Sequence, residues 1–529
     1  MKHNRILSMI LAGALITGVL AACAPNRQPA APVGTAAPAA PTEPGAPPPP
    51  PEGGPRGSLI VATASETPSV APARHNAAAG SFLNVMTHDG LFRTNYYDLE
   101  PVPNVVASWR AISDTLFEFT LHEGILFHNG DEMTAYDVEA SFHYVRNYPD
   151  TRAAHNSAVA IEVIDRYVFT LYTGEPNAAL FFDLTHQGNS VLPGSLIAAG
   201  HDFTVEPIGS GPFVFEEWRL GDSLSFRAFE NYFNQDRAPR VEAITWRIIP
   251  EGASRTIALE AGEVDYIIEV AYPDVTRLQN HPDITVFMRP GTAFHHLVLN
   301  NSRPQFSNLY ARRAINMAID QEALVAAAFD GLAVPLRAQV PTAFAGTTEE
   351  GAVPFDPDGA RALLAEHNID PESLAFDMLA GTEERRRLAE VVQAQLHEIG
   401  IPTTITMVDH ATTLSRMNDG DYDSGFGMWS ASFLISVLRG VLHGDIGGVM
   451  NRSRINNPEI NELIDRGIAT IDADERNSIF EELARVANAY AGNVPTHLNY
   501  VIRAFNSNLV VPETSAVGGL NINMIYWAE

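Results

Sequence analysis

Residues 101–145 read PVPNVVASWRAISDTLFEFTLHEGILFHNGDEMTAYDVEASFHYV, and this stretch decides the fold. Phe117, Phe119 and Leu121 alternate with Glu118, Thr120 and His122. That period of two predicts a half-buried strand, because successive side chains leave opposite faces of an extended backbone. Asn129-Gly130 follows as a turn, since Gly accepts positive φ and Asn bonds its own backbone. Thr134 stands where a helix cap belongs, with Asp137 three residues on, beside the positive helix end. Val138, Phe142 and Val145 then share one helical face. Strand, turn and helix follow from the residues alone; no chemistry does.

Taken as a pattern, the same stretch resembles the signature of family 5 extracytoplasmic solute-binding proteins, the peptide-, dipeptide- and nickel-binding subunits of ABC importers. Ser108-Trp109, Phe119, Leu121, Phe127-His128, Gly130, Thr134-Ala135 and Asp137-Val138 stand at that family's fixed points, while His122 replaces a usual Arg. Three more segments fit the resemblance: Gly209-Ser210-Gly211-Pro212, Ala261-Gly262-Glu263-Val264-Asp265, and Arg312 to Phe329. It runs from about Leu59 to Leu509, but the Asp of the family's opening "LDP" is missing at Val70-Ala71-Pro72. The resemblance implies an α/β, two-lobed periplasmic-binding-protein-like fold of type II, with an extra domain inserted in the first lobe. Lobe 1 is then expected from 58–90, 180–293 and 497–529, the extra domain from 91–179, and lobe 2 from 294–496.

Outward from this core, the N-terminus carries Lys2 and Arg5, an apolar run from Ile6 to Leu20, and then Leu20-Ala21-Ala22-Cys23. Residues 1–22 read as a signal peptide, too short and wrongly flanked for a membrane span. Their ending resembles a bacterial lipobox, which would make Cys23 a lipidated first residue; an ordinary secretory leader is the plainer alternative. Cys23 is the chain's 1 cysteine, so no intrachain disulfide or thiolate metal cluster can form. Residues 23–57 are rich in Pro and Ala, with Pro47 to Pro51 consecutive, and read as an extended tether on the lipid anchor. At ~3.1 Å per residue its reach is on the order of 100 Å.

The net charge of −29 disfavours nucleic acid as a partner, since that surface needs clustered cations. Lys2 is the sole lysine. The mature chain therefore lacks the Lys of a phosphate-binding loop and cannot be a transporter's ATPase.

Along the rest of the chain, Val159 to Tyr172 predicts two strands around Asp165-Arg166, and Phe82 to Leu91 a helix. Gly221-Asp222 predicts a hairpin turn, Ser254 to Leu259 a helix closed by Gly262, and Val264 the start of the next strand. Arg312 to Phe329 predicts one amphipathic helix, and Asn457 to Ala491 two helices broken near Asp472 to Asp474. Asn499 to Phe505 is expected to be a strand crossing back to the first lobe. Ser210 between two glycines lacks the full nucleophile elbow. His295 and His296 are adjacent on a strand, point to opposite faces, and cannot grip one metal together.

The resemblance also marks a ligand site. Asp421-Tyr422-Asp423-Ser424-Gly425-Phe426-Gly427-Met428-Trp429-Ser430-Ala431-Ser432 resembles the family's "DYDxxxxGWxAD". Ligand contacts are expected from Met428, Trp429, Ser430 and Ser432, from Arg416 for a ligand carboxylate, and from loop residues Asn76 and Ala78. For Trp429 the rival role is core packing, and for Arg416 a surface ion pair. Ser432 occupies the place where peptide binders put the Asp that meets the ligand's ammonium. A buried ammonium without a counter-charge loses several kcal/mol of solvation. Either another acid serves, or the ammonium is not held there, or the ligand is an oligosaccharide, opine-like solute or metal chelate. No metal site and no cofactor is expected.

The function so implied is a monomeric, lipid-anchored binding subunit that captures oligopeptides or dipeptides and delivers them to an ABC permease with its ATPase, without chemistry of its own. A secreted hydrolase of peptides or sugars is the rival from another class, although HExxH and nucleophile-elbow patterns are absent. A sensor with the same fold and no importer is a second.

Overall fold

Two long strands, Ile284–Leu299 and Val494–Asn506, run antiparallel and carry the chain between the two halves of one large sheet. The computed structural model describes residues 55–74, 78–148, 157–430, 433–445, 450–512 and 514–528. The sheet has 11 strands. On one side of the crossing pair lie Tyr266–Ile267, Ser58–Thr63, Ala243–Ile248, Ser223–Ala228 and Phe213–Arg219, forming the first lobe. On the other lie Ser424–Trp429, Phe376–Ala380 and Thr403–Met407, forming the second. Parallel pairs in each half, such as Ser58–Thr63 with Ala243–Ile248 and Phe376–Ala380 with Thr403–Met407, need long crossover connections. Helix Glu383–Glu398 makes one of these, its Leu388, Ala389, Val392 and Leu396 face buried under the second half.

The ladder between the crossing strands is regular from Ile284↔Asn506 to Pro290↔Tyr500. It breaks over Gly291–Ala293 and resumes at Phe294↔Leu498. Before the break the pair belongs to the first half, where Tyr266 pairs with Phe505; after it Phe294 pairs with Trp429 in the second. A Cβ on Gly291 would sit 2.8 Å from the Asn499 carbonyl oxygen, so only glycine lets the two backbones pass so closely.

Residues 101–145 fold as their pattern predicts. Leu116–Leu121 is a strand whose Phe117, Phe119 and Leu121 are buried, within a four-stranded antiparallel sheet with Val106–Ser113, Val168–Tyr172 and Ala160–Asp165. Phe119 stacks on Phe169 with ring centroids 5.4 Å apart. Gly130 takes φ +89° in the turn. Asp137 Oδ2 accepts from the Thr134 amide at 2.8 Å and its hydroxyl at 2.7 Å, closing the N-terminus of helix Ala135–Val145.

Three boundaries differ from expectation. Arg312 to Phe329 is two helices, Leu309–Met317 and Gln321–Phe329, because Asp320 Oδ1 accepts from the amides of Glu322 and Ala323 and starts a new one. The first helix is Ala78–Thr87, not Phe82 to Leu91: the Thr87 carbonyl accepts the Gly211 amide at 3.0 Å, ending the helix four residues early. The strand after Gly262 begins at Tyr266, since Asp265 spends its side chain on the Ile60 amide (2.8 Å) while its own amide donates to the Ile60 carbonyl.

The Gly209-Ser210-Gly211 turn packs backbone to backbone against that first helix. A Cβ would come within 2.3 Å of Thr87 O at Gly209 and within 2.5 Å of His88 N at Gly211. His128 binds the turn from the small-sheet domain, its amide donating to Gly209 O and its Nε2 lying 2.9 Å from Gly211 O.

Candidate functional site

Where the crossing strands break, a cavity of about 420 Å³ opens between the halves of the sheet. The parallel strands Ser58–Thr63 and Tyr266–Ile267 point their C-terminal ends at it, the place where open α/β sheets hold ligands. Glu269 stands just beyond the second of these strands. Its Oε2 accepts from the Ala64 amide at 3.1 Å, and the Thr63 hydroxyl lies 3.4 Å from each carboxylate oxygen. Arg255 holds the same residue from behind, donating Nε and Nη2 to the Glu269 carbonyl at 3.2 and 3.1 Å. Among the described lining residues Glu269 is the one carboxylate and Arg503 the one guanidinium. Arg503 is buried, its Nη1 and Nη2 donating to the carbonyls of Ile268 and Gly518, so its hydrogen bonds serve the fold. Tyr272, Asn499 and Tyr500 add further polar edges. Burial raises the Tyr272 hydroxyl's pKa, and the charge of Glu384, reaching over from the second lobe, raises it further.

On the second-lobe side, strand Ser424–Trp429 leads into the cavity and Ser430 lines it. Met428 is 45% exposed and pairs with His295 across the ladder. Trp429 is 5% exposed and faces the other way, its ring stacked on Phe294 with centroids 5.8 Å apart. Its Nε1 donates to the Met450 carbonyl at 3.3 Å. Gly427 makes room for it, since a Cβ there would lie 2.9 Å from the indole edge. The indole is thus packed against Phe294 and His296.

The other expected residues scatter. Arg416 sits in helix His410–Asp419, its Nε donating to the Asp421 carbonyl at 3.0 Å and lying 3.5 Å from that carboxylate. Ala78 begins the helix whose Phe82 lines the cavity. Asn76, Ser432 and Cys23 lie outside the described residues. Sequence reasoning passed over Glu269, Tyr272, Asn499 and Tyr500. The signal for Glu269 was its position: an acid directly after a short parallel strand, next to a motif otherwise spent on backbone.

His295 and His296 occupy opposite faces, as alternation requires. His296 lies in the core against Phe294 and Trp429, and His295 stacks on His497 with centroids 4.1 Å apart and planes 14° from parallel. Burial pushes His295 down to about 4 with help from Arg385, and His497 down to about 2 with help from His295 and His296. Among the described residues no three His, Cys, Asp or Glu side chains gather as a metal site.

Residues 100–435 match the model of the bacterial extracellular solute-binding proteins, family 5, middle region. The chain belongs to that family. Among family 5 relatives, the glutathione-binding protein GsiB of Salmonella paratyphi A is 25% identical over 479 residues, covering 86% of this chain and 92% of GsiB. HbpA2 from Haemophilus parasuis superposes with a TM-score of 0.82 at 20% identity, over 89% of this chain and 100% of HbpA2. DppA from Helicobacter pylori, an ABC transporter-associated periplasmic binding protein solved with the peptide STSA, gives 0.70 at 21% identity, over 89% and 98%. At these identities the two structures establish a shared fold, and the two-lobed α/β architecture expected from the sequence is the one observed. No helix among the described residues is long and apolar enough to cross a membrane.

Proposed function

We propose that this family 5 protein is the lipid-anchored substrate-binding subunit of an ABC importer, and that its solute is a short peptide held between the lobes. The observation that carries the reading is the cavity at the strand crossing, with Glu269 offered from one lobe and Ser430 from the other. A ligand touching both walls favours the closed arrangement by the difference in its affinity for the two states. The closed form is then what a permease recognises, and ATP hydrolysis by that transporter's own ATPase releases the solute unchanged. Glu269 supplies the counter-charge that Ser432 cannot, so the peptide's ammonium is held from the first lobe. GsiB and DppA, which bind glutathione and a peptide, support a peptidic ligand. Lobe 1 comprises 58–90, 180–293 and 497–529, the inserted domain 91–179 and lobe 2 294–496. Cys23 carries the lipid, and residues 24–57 form the tether of a monomer.

Native mass spectrometry of the purified protein, followed by calorimetric titration of the solute it releases, tests this. A peptide recovered intact is the expected result. A saccharide or opine mass would overturn the ligand class, and cleaved peptide would overturn the binding-only mechanism.

A further inference from the structure

A second cavity, of about 120 Å³, lies between the first lobe and the inserted domain, and no second-lobe residue lines it. Helix Ala78–Thr87 divides the two cavities: Phe82 lines the cleft, while Asn84 and Val85 line this one. Two arginines, Arg93 and Arg237, line it close enough for the charge of one to act on the other, with Tyr96, Tyr232, His186 and Asn523 beside them. Arg237 Nη2 donates to a neutral partner, Asn521 Oδ1, at 2.9 Å. Among the described residues Arg93 has no side-chain hydrogen bond and no ion pair, although it is only partly exposed.

The one carboxylate in the lining is Asp89, and neutral donors already surround it. Its Oδ1 accepts from Asn104 at 2.9 Å and the Tyr232 hydroxyl at 3.2 Å, and its Oδ2 from Ser210 at 3.1 Å. Burial pushes its pKa up to about 6, against the pull of these three hydrogen bonds and of the Arg237 charge, so near neutral pH it supplies one carboxylate charge at most. Arg93 in turn is held below its ordinary pKa by burial first and by the charge of Arg237 second. Two arginines therefore line a polar cavity that offers them one carboxylate between them. The space would hold about four waters at ~30 Å³ each, enough for one small oxyanion. Forked guanidinium groups match such an anion with paired, charge-assisted hydrogen bonds.

We propose that this cavity is an anion site separate from the solute cleft, taking one oxyanion, a phosphate or a carboxylate, between Arg93 and Arg237. Its walls come from the first helix, strand Phe92–Thr94, the loop around Arg237 and the C-terminal Asn523. An anion there ties these four segments together and raises the stability of the first lobe without touching the transported solute.

The test titrates the full mature chain with phosphate, sulfate and acetate separately, against chloride at matched ionic strength, following heat of binding and Tm. A saturable Tm rise with at least one oxyanion and none with chloride is expected. A response to phosphate alone identifies an inorganic oxyanion, and a response to acetate identifies an organic acid; both support the site. Arg93→Gln removes no side-chain hydrogen bond or ion pair among the described residues, and it should weaken the anion by roughly tenfold or more while leaving cleft-solute affinity within about twofold. Equal responses to chloride and oxyanions, or equal anion affinity in wild type and Arg93→Gln, would overturn the proposal. Should the variant fold poorly, wild-type crystals soaked in selenate, or in bromoacetate where acetate alone raised Tm, decide: anomalous density between Arg93 and Arg237 supports the site, and its absence refutes it.

Discussion

Under the proposed function, Glu269 is the residue on which solute charge recognition turns. Its carboxylate is fixed by the Ala64 amide and makes no ion pair among the described residues, the Arg503 charge acting on it only from farther off, so it remains available to a ligand cation. Removing a charged partner from a hydrogen bond costs about 1.5–3 kcal/mol, so Glu269→Gln should weaken peptides with a free N-terminus by roughly ten- to a hundredfold. N-acetylated peptides should bind both forms alike. Calorimetry on matched peptide pairs measures this, and equal losses for both peptides would remove Glu269 from the role. The buried imidazoles make a second claim at this scale. Neither ring nitrogen of His296 has a partner among the described residues, and burial, then the charge of His295, pushes its pKa down to about 3. In the unfolded chain it would titrate near 6.5. Below that pH the unfolded state takes up a proton that the folded state refuses, so stability present above about 6.5 is lost as pH falls toward the folded value. Asp183, pushed up to about 7 by burial, acts in the opposite sense, losing its contribution as pH rises through that value, so the whole-protein profile mixes both. The clean comparison is His296→Leu against wild type by urea unfolding. The variant should gain about 1 kcal/mol at neutral pH from losing two unpaired nitrogens, and more near pH 5. A difference that does not change with pH would show that His296 is not the titrating group.

At the scale of elements, two motifs known from the sequence prove to be joints. Asp137 closes its own helix through Thr134 and also binds the Gly194 amide through Oδ1 at 2.8 Å, fixing the start of the short helix Gly194–Ala198. Asp137→Ala removes both and should cost about 2 kcal/mol, read as a lower urea midpoint with unchanged slope. Gly211→Ala should be harsher, about 3 kcal/mol or more, because its Cβ meets backbone at Met86, Thr87 and His88 and has no soft side chain to displace. An alanine variant with wild-type stability would mean that the turn and helix separate more easily than their packing implies. Both motifs were legible because their spacing is local: a cap, a turn and an alternating strand are each settled within a few residues. The break at Asp320 was missed for the same reason in reverse, since a continuous apolar stripe hides a cap whose acceptor competes with the helix only locally. The cleft was hardest to see. Its walls come from segments more than 200 residues apart, and no period in the sequence brings Glu269 to Asn499. Trp429 shows the limit of position alone: the residue is where the pattern puts it, but which way its ring turns depends on Gly427 leaving a gap beneath.

For the whole molecule, the proposed lobe closure makes affinity depend on contacts that the ligand never touches. The small-sheet domain and the first-lobe residue Phe182 beside it meet the second lobe beyond the cleft at several points. Glu100 Oε2 lies 3.0 Å from Arg476 Nη2, the Ala178 amide donates to the Ile468 carbonyl at 2.8 Å, and Phe182 packs on Phe433 with centroids 5.3 Å apart. Arg476 is buried, its Nη1 on the Ile471 carbonyl and its guanidinium 5.6 Å from the Phe182 ring. Opening about Gly291–Ala293 would part these contacts and leave that guanidinium without its carboxylate. They therefore favour the closed arrangement before any solute arrives, and apparent affinity scales with the closed fraction. Glu100 is partly exposed, so a solvent-discounted 1–2 kcal/mol, roughly tenfold in affinity, is the expected loss for Glu100→Gln. Unlike Glu269→Gln, this change should weaken free and N-acetylated peptides equally. Small-angle scattering should show the ligand-free variant more expanded than wild type, with the two converging at saturating peptide. If the variant scatters like wild type yet loses affinity, Glu100 reaches the ligand by another route; if neither changes, these contacts do not govern closure.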